Sequence, residues 1–384
     1  MKSDTKKVLL AFDWYDQRIY RGVARYATEN RWHLSPYLFS DRFIPHKWPA
    51  DGAITCFGKV LGKFILSLDM PKIDISISNI PETIPRVTVD NDAIGRLAAE
   101  HFVTRGFKHF AFYNWPIVDV NCTRRKAFFD ALTEANIPKT SQHIINQPST
   151  AIMRDWDSHQ NAILEQLKQI PRPLAVFAGQ DNLGVTLIEI CERSGIHVPE
   201  EISILGVDNI EFLCECLVVP LSSIDTRFEK LGYTAAKQLD RLMNGEITCN
   251  EPPIRIAPHG IINRQSTDSL AIEHPAVVAA LRFIRKNFSQ PITIENIAQY
   301  AQISRRGLEK AFAKHLGISP ATELRRIRLD HAKRLLTETS EKTETIAIAC
   351  GYSNSSNLSF AFNRATGMSP RTYRNNFHGD YPLT

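Results

Sequence analysis

The sequence predicts an α/β region of parallel sheets covered by helices, followed by an all-α region with two helix-turn-helix units. Through residues 5–265, apolar runs of strand length alternate with amphipathic helical stretches, the pattern of βα units in a parallel sheet. Residues 275–377 instead hold two similar helix-turn-helix patterns separated by a long helical stretch. The polar segment 266–274 lies between them and is predicted to be a linker.

In the α/β region, strands and helices are predicted in turn. The first strand is expected at 7–12 and the first helix at 16–28. Five further pairs follow it: 53–57 and 61–68, 87–89 and 92–104, 109–113 and 124–134, 174–178 and 183–193, and 202–207 and 227–243. Parallel sheets bind ligands beyond the carboxyl ends of their strands, so a binding site is predicted there.

Polar side chains follow several of these strands. Asp16 follows the first strand, Asp181 the fifth, and Asp208 with Asn209 the sixth. Carboxylates suit a ligand with several hydroxyls, because neighbouring hydroxyls can donate to both carboxylate oxygens. An aspartate at a strand end is also a common helix cap, so each has a structural interpretation beside the ligand-binding one.

Aromatic side chains occur at the same edge. Trp14 and Tyr15 follow the first strand, and Trp115 follows the fourth. A flat ring can stack on the apolar face of a cyclic ligand, whereas filling the core is the alternative role for Trp115.

The second helix-turn-helix unit occupies residues 346–374, IAIACGYSNSSNLSFAFNRATGMSPRTYR. Gly351 is predicted to end its first helix, because glycine readily takes the left-handed conformation that stops a helix. The polar residues 353–355 offer side-chain oxygens to cap the next helix, which is expected to end at Gly367.

The first unit, ITIENIAQYAQISRRGLEKAFAKHLGISP at 292–320, mirrors the second down to its closing Gly, Ser and Pro. Ser304 is the predicted N-cap of its second helix, and Gly317 the predicted end. The stretch 320–339 has no glycine and has apolar residues at helical spacing, so one long connecting helix is predicted.

Basic charge is concentrated in the helical region. From Leu270 to the end there are 16 Lys and Arg against 9 Asp and Glu, a net +7, whereas the rest of the chain carries −2. A tandem helix-turn-helix region with a basic excess is typical of a protein that binds the phosphates of double-stranded DNA.

With both units described, residues 275–377 resemble the DNA-binding domain of the AraC/XylS family of transcription factors. This resemblance implies base contacts from the two recognition helices, carried by Arg305, Arg306, Glu309 and Lys310 and by Ser355, Ser356, Asn357 and Ser359. Phe360 departs from the family, in which a long polar side chain is common, so thymine methyls or DNA shape take a larger share of recognition.

The segment 176–245 resembles the sugar-sensing core of the lactose and purine repressor family, itself similar to periplasmic sugar-binding proteins. The resemblance implies a two-lobed domain over 5–265 whose lobes each form half of a ligand cleft. It implies that Asp208, in GVDN, accepts hydrogen bonds from sugar hydroxyls and that Arg125 donates, with Arg124 as the alternative. The other implied contacts are Tyr15, Asp16, Trp115, Asp181 and Asn209.

Together the two resemblances suggest a regulator similar to those of xylose operons. They imply a cytoplasmic, homodimeric activator that binds an operator in double-stranded DNA, responds to D-xylose and works with RNA polymerase. The alternative is a sugar-acting enzyme with an appended nucleic-acid-binding module.

Other chemistry is not indicated. The seven cysteines lack metal-site spacing, so neither a metal nor a disulfide is expected. Phosphate-binding glycine loops and nucleophile turns are absent from the sequence, which predicts no cofactor and no catalytic residues. No apolar run reaches the length of a signal peptide core or a membrane span.

Overall fold

The computed structural model describes residues 5–14, 16–35, 49–76, 83–115, 119–148, 155–268 and 274–377. The chain forms two compact units, Met1–Ser269 and Leu270–Thr384. The first contains all the described strands and the second is helical, which confirms the predicted fold class. No helix among the described residues is both long enough and apolar enough to span a membrane.

The strands of the first unit are β1 (Lys7–Phe12), β2 (His33–Ser35), β3 (Gly52–Cys56), β4 (Lys72–Asp74), β5 (Val87–Val89), β6 (His109–Asn114), β7 (Gln142–Asn146), β8 (Leu174–Ala178), β9 (Ile202–Val207), β10 (Ser222–Asp225), β11 (Ile254–Ile256) and β12 (Gly260–Ile262). Its α-helices are α1 (Gln17–Glu29), α2 (Gly62–Ser67), α3 (Asn91–Val103), α4 (Asp119–Glu134), α5 (Trp156–Lys168), α6 (Asp181–Arg193), α7 (Glu211–Glu215) and α8 (Phe228–Met243).

Two sheets organise this unit into two lobes. The first sheet has the strand order β2-β1-β3-β4, all parallel, and the second has the order β12-β10-β9-β8-β6-β7. Only β12 of the second sheet runs antiparallel to its neighbour. Every residue of β3, β8 and β9 is buried, so helices cover both faces of these strands as predicted.

The chain crosses between the lobes at three places. Asp90 links β5 to α3, residues 226–227 link β10 to α8, and residues 257–259 link β11 to β12. The small parallel ladder of β5 and β11 lies beside two of these crossings. Three side-by-side connections therefore join the two lobes, which is the arrangement found in proteins that close about a hinge.

Close helix pairs are made possible by glycine. A Cβ placed on Gly22 in α1 would lie 2.0 Å from the carbonyl oxygen of Glu229 in α8, and one on Gly232 would lie 2.0 Å from that of Ile19. In the other lobe, a Cβ on Gly95 in α3 would lie 2.4 Å from the carbonyl oxygen of Arg124 in α4. These pairs depend on backbone approaching backbone.

The predicted linker begins too early. Ser266 and Thr267, which lie within the predicted linker, are fully buried within the first unit in a 3-10 turn, Gln265–Thr267. The Ser266 hydroxyl donates to the carbonyl oxygen of Ile204 at 2.6 Å and accepts from the amide of Ser222 at 2.8 Å. The polar character of this segment serves hydrogen bonds to the sheet edge, which its composition alone does not distinguish from a linker.

The helices of the second unit are α9 (Pro275–Asn287), α10 (Ile294–Tyr300), α11 (Arg305–Leu316), α12 (Pro320–Glu338), α13 (Thr343–Ala349), α14 (Ser355–Thr366) and α15 (Pro370–Phe377). The Ser304 side chain caps α11, and the left-handed Gly317 ends it, as predicted. Gly351 and Gly367 are left-handed at the corresponding positions of the second unit, with φ of +77° and +73°.

Two hydrophobic cores share the long helix α12. Leu324 belongs to a core with α9, α10 and α11, whereas Leu329, Ala332 and Leu336 belong to a core with α13 and α14. At a rise of 1.5 Å per residue, the 19 residues of α12 span about 28 Å. The predicted connecting helix therefore holds two separately packed helix-turn-helix units at a set spacing.

The contact between α1 and α8 gives a stability prediction. We expect Gly22→Ala to lower the free energy of unfolding by about 1–3 kcal/mol, because its new methyl group must displace the backbone of α8. Urea unfolding measures this. The control is Arg21→Ala, on the exposed side of the same helix, with an expected change of about 0.5 kcal/mol or less. Equal effects of the two substitutions would contradict the close contact.

Candidate ligand cleft and nucleic-acid interface

The cleft between the lobes is centred on the turn that follows β9. Asp208 and Asn209 both have positive φ, +103° and +48°, which is strained for residues other than glycine and is common at binding sites. Asp208 is buried, and burial raises the pKa of its carboxyl despite the neighbouring guanidinium of Arg124. This turn therefore presents a dehydrated carboxylate at the end of a central strand.

Arg124, on α4, faces this carboxylate. Its Nη2 lies 3.3 Å from Oδ1 of Asp208, Nε donates to Oδ1 of Asn91 at 2.9 Å, and Nη1 donates to the carbonyl oxygen of Gly179 at 2.6 Å. The Arg124 side chain is 2% exposed, and burial lowers its pKa. The guanidinium is thus held in place by groups other than the carboxylate it faces.

The predicted donor is Arg125, with Arg124 as the alternative, and it is the alternative that the structure places against Asp208. Consecutive residues of a helix point about 100° apart, so only one of the two can face Asp208. That residue is Arg124, the alternative considered, whereas Arg125 is half-buried on another side of α4. Helical periodicity alone left this choice open, because the register of α4 against the second sheet is a tertiary property.

Arg18 reaches across the cleft from the first lobe. Its Nη1 donates to the carbonyl oxygens of Asp208 at 2.7 Å and Asn209 at 2.9 Å. Two further bonds, of 3.0 and 2.8 Å, join it to the carboxylate of Asp16, which also caps α1. Predicted Asp16 therefore lies at the cleft but orients Arg18, which the sequence analysis did not identify.

Asp181 was predicted to contact the ligand, but it is fully buried behind the turn. Its Oδ1 accepts from the hydroxyl of Ser223 at 2.5 Å, and its Oδ2 accepts from the amide of Ile210 at 2.7 Å. Burial, and then the charge of Asp208, raises its pKa to about 7. This geometry makes Asp181 a brace for the turn and removes it from the cleft surface.

The remaining predicted cleft residues have mixed positions. The Asn209 Oδ1 accepts from Nη1 of Arg264 at 3.0 Å, so its side chain is part of the same network. Trp115 is half-buried against the core of the second lobe, which fits its alternative role. Trp14 is 44% exposed, and its ring lies edge-on to Phe228 with centroids 5.3 Å apart. Tyr15 lies outside the described residues.

Two residues that the sequence analysis missed belong to the cleft. Asn91 opens α3 and holds Arg124, while Arg18 spans the lobes. Asn91 follows β5 as Asp208 follows β9, so the rule of polar residues at strand ends would have found it. Arg18 lies inside a predicted helix and gave no comparable signal.

The first recognition helix, α11, presents a basic surface. Arg306 and Lys310 are exposed on it, one turn apart. The predicted residues Arg305 and Glu309 are joined by an ion pair of 3.0 Å, and Arg305 also pairs with Glu295 of α10. The structure thus brings all four predicted residues to the outer face, with two of them engaged in holding α11 against α10.

The second recognition helix, α14, presents a less charged surface. Asn354 caps it, and Glu344 of α13 accepts from the amide of Ser355 at 3.0 Å, the same acidic position that Glu295 occupies in the first unit. Ser356 and Asn357 are exposed, whereas Ser355 and Ser359 are half-buried. Phe360, the predicted departure from the family pattern, is exposed on this face, and so are Asn363 and Arg364, which are absent from the predicted contacts.

Arg328 connects the two helix-turn-helix units. From α12 it donates to the carbonyl oxygens of Phe288 at 2.7 Å and Gln290 at 2.8 Å, beyond the end of α9. Its guanidinium also lies 5.9 Å from the ring centroid of Tyr352, in the turn of the second unit. This residue helps to set the relative position of the two recognition helices.

Comparisons with known proteins agree with this architecture. Residues 99–267 match the model of the periplasmic binding protein-like domain, and residues 297–376 match a helix-turn-helix domain. The chain is 28% identical over 374 residues to the xylose operon regulatory protein of Escherichia coli K12, covering 94% of each chain. It is 26% identical over 382 residues to that of Haemophilus influenzae, covering 94% of this chain and 95% of the relative.

Among solved structures, the chain is similar to one described as a xylose-binding transcription activator. The two share 26% sequence identity with a TM-score of 0.80, and the match covers 98% of this chain and 99% of the other.

The raised pKa of Asp181 predicts a pH effect on stability. Between its ordinary value of 3.8 and about 7 the folded state retains a proton that the unfolded state loses, so this group lowers stability as pH rises through that range. We expect the free energy of unfolding of Asp181→Asn, taken relative to that of the unsubstituted chain, to rise by roughly 3 kcal/mol between about pH 5 and about pH 8. The reason is that each pKa unit is worth about 1.4 kcal/mol. Urea unfolding across pH measures it, and parallel curves would contradict the burial.

The two units, their internal geometry and the extent of these matches lead to one conclusion. The relatives are transcriptional regulators by name, and they match this chain through both of its units. The chain is therefore a DNA-binding transcriptional regulator that joins a periplasmic-binding-protein-like sensor to a tandem helix-turn-helix domain.

Proposed function

We propose that the sensor binds D-xylose in the cleft between its lobes and that the bound sugar controls binding to an operator, so that the protein activates genes of pentose catabolism. The observation that carries this proposal is the buried pair of Arg124 and Asp208 at the carboxyl end of β9. The choice of D-xylose rests on the names of the relatives, which match nearly the full length of the chain.

The chemistry of the pair suits a sugar. A sugar hydroxyl both donates and accepts, so a single hydroxyl can bind the carboxylate of Asp208 and the guanidinium of Arg124 together. The distance of 3.3 Å between the two groups is long for a charge-assisted hydrogen bond, and Arg124 keeps its other two partners if the pair separates. A ligand can therefore insert here without leaving the arginine unsatisfied.

Cleft closure supplies the switch. Arg18 of the first lobe already contacts the backbone of residues 208 and 209 in the second, so the cleft residues respond to the distance between the lobes. A sugar that contacts both lobes favours the closed arrangement only by the difference in its affinity for the two arrangements. The proposed signal is this shift in population.

We also propose that the regulator acts as a homodimer in the cytoplasm, where it would meet its operator and RNA polymerase. Exposed apolar side chains on and after α7 offer a surface for a second copy: Phe212 is 69% exposed and Val218 is 73% exposed. Two copies would place four helix-turn-helix units on repeated half-sites.

The alternative, an enzyme acting on a sugar, is not favoured by the cleft. Such an enzyme needs a general acid and a general base facing the substrate. Asp16 is paired with Arg18, Asp181 is buried behind the turn, and Asp208 faces Arg124. These contacts suit positioning and binding better than proton transfer.

Sugar binding is tested by thermal unfolding with xylose, arabinose, ribose, glucose and galactose. We expect xylose alone to raise the Tm, because a ligand at 100 times its Kd stabilises the folded state by about 2.7 kcal/mol. Asp208→Asn keeps the size of the side chain but loses its charge, so we expect this response to disappear. Arg125→Ala, on another side of α4, is the control and should keep it. Stabilisation by a different sugar would contradict the assignment of D-xylose as the ligand. Stabilisation by none of the sugars would contradict the proposed sugar switch.

Base readout by the first unit is tested with Arg306→Ala. We expect affinity for the operator to fall by about 1–3 kcal/mol, with relaxed preference at the base pairs that Arg306 reads. Lys333→Ala removes a half-buried cation of α12, which is not a recognition helix, and serves as the control. Gel-shift titrations against single-base operator variants measure both. A loss equal on every sequence would assign Arg306 to a phosphate.

A further inference from the structure

The second recognition helix exposes an aromatic side chain at the centre of its outer face. Phe360 is 72% exposed in a unit where the other phenylalanine of this helix, Phe362, is fully buried. Ser356 lies one turn before it, and Asn363 and Arg364 lie one turn after it. An apolar ring thus lies in the middle of a surface that is otherwise polar.

The helix cannot turn this ring inward. Leu358 and Phe362 are both fully buried in the core that α14 shares with α12 and α13. Phe360 is two residues from each of them, which is about 200° around a helix, so packing them inward points it outward. The cap at Asn354 and the hydrogen bond from Ser355 to Glu344 fix the start of α14 as well.

The corresponding position of the first unit carries the opposite chemistry. The two recognition helices align with a shift of 50 residues, which pairs Leu308 with Leu358 and Lys310 with Phe360. The same shift pairs Arg306 with Ser356. Where the first helix offers long cationic donors, the second offers a ring and a small hydroxyl.

Double-stranded DNA has one apolar group in the major groove that matches such a ring, the C5-methyl of thymine. The other groups displayed there are hydrogen-bond donors and acceptors, which a phenyl ring cannot satisfy. Positive charge near Phe360 would attract the phosphates of DNA. Arg364 is exposed beside Phe360, and the region from Leu270 onward carries a net charge of +7.

We infer that Phe360 is a specificity-determining residue that recognises a thymine by packing against its C5-methyl group. The two units of one chain then recognise DNA by different means, the first through hydrogen bonds from Arg306 and Lys310 and the second largely through apolar contact. This inference rests on the DNA-binding function and is independent of which sugar the sensor binds.

The test removes single methyl groups from the DNA. A duplex is first selected from random sequence with the full chain in the presence of xylose, and each thymine is then replaced in turn by deoxyuridine, which lacks only the methyl. We expect one or two replacements to weaken binding about threefold to fivefold, the effect of losing one buried methyl group. The same replacements should not change the affinity with which Phe360→Ala binds the duplex.

Two further variants make the result specific. Phe360→Leu retains an apolar side chain and should retain part of the methyl dependence, whereas Ile348→Ala removes a different exposed apolar side chain, on α13, and should retain all of it. Because Phe360 is exposed, its substitution should leave the Tm nearly unchanged.

Two outcomes would overturn the inference. One is wild-type binding that is insensitive to every uridine. The other is a uridine penalty that persists unchanged in Phe360→Ala, which would assign the methyl contact to another residue. Both outcomes are judged from the ratio of the affinities for the thymine duplex and the uridine duplex, measured at one xylose concentration. Because this ratio does not depend on the response to sugar, a failure of the proposed sugar response would be recognised separately.

Discussion

The sensor depends on a buried ion pair, that of Arg124 and Asp208. Burying Arg124 and Asp208 together costs hydration that their mutual attraction offsets only with good geometry, so the pair adds little net stability. What it does is organise the cleft, because Arg124 ties α3, the end of β8 and the turn after β9 to one point. Asp181 and Arg18 complete this arrangement from behind the turn and from the opposite lobe. A ligand that replaces the contact between the two charges acts where both lobes meet.

In the DNA-binding unit, the equivalent constraint is the shared helix α12. Each helix-turn-helix unit has its own small core, and neither core is large, but both are built on the same rigid rod. Arg328 adds a polar link between them. Because the spacing is set by the backbone of α12, the outer residues of α11 and α14 can diverge without disturbing it. This freedom is consistent with one cationic and one apolar recognition surface in the same chain.

The elements of the fold were largely predictable because they depend on local signals. The strands 7–12, 87–89, 174–178 and 202–207 have the predicted bounds, since buried strands of a parallel sheet are continuous apolar runs. Helix ends at Ser304 and Gly317 followed from capping chemistry. The strands β2, β4, β7, β10, β11 and β12 were not predicted. All except β10 lie at a sheet edge or in the two-stranded ladder, where a strand carries only part of that apolar signal. The strand β10 lies between β12 and β9, but its sequence, SSID, has a single apolar residue. The linker was placed too early because a polar segment can bond to a sheet edge as well as to water.

By itself, the sequence determined the fold class, the tandem helix-turn-helix units and the resemblance to sugar-responsive regulators, and it pointed to the turn at Asp208 as a candidate ligand site. Those conclusions follow from periodicity, caps and motif residues, which are properties of neighbours along the chain. Only the tertiary structure decided that Arg124 faces Asp208 while Arg125 does not, that Asp181 braces the turn from behind, and that Arg18 crosses the cleft. Each of these depends on which side of a helix meets which strand end, and that is set by packing between residues far apart in sequence.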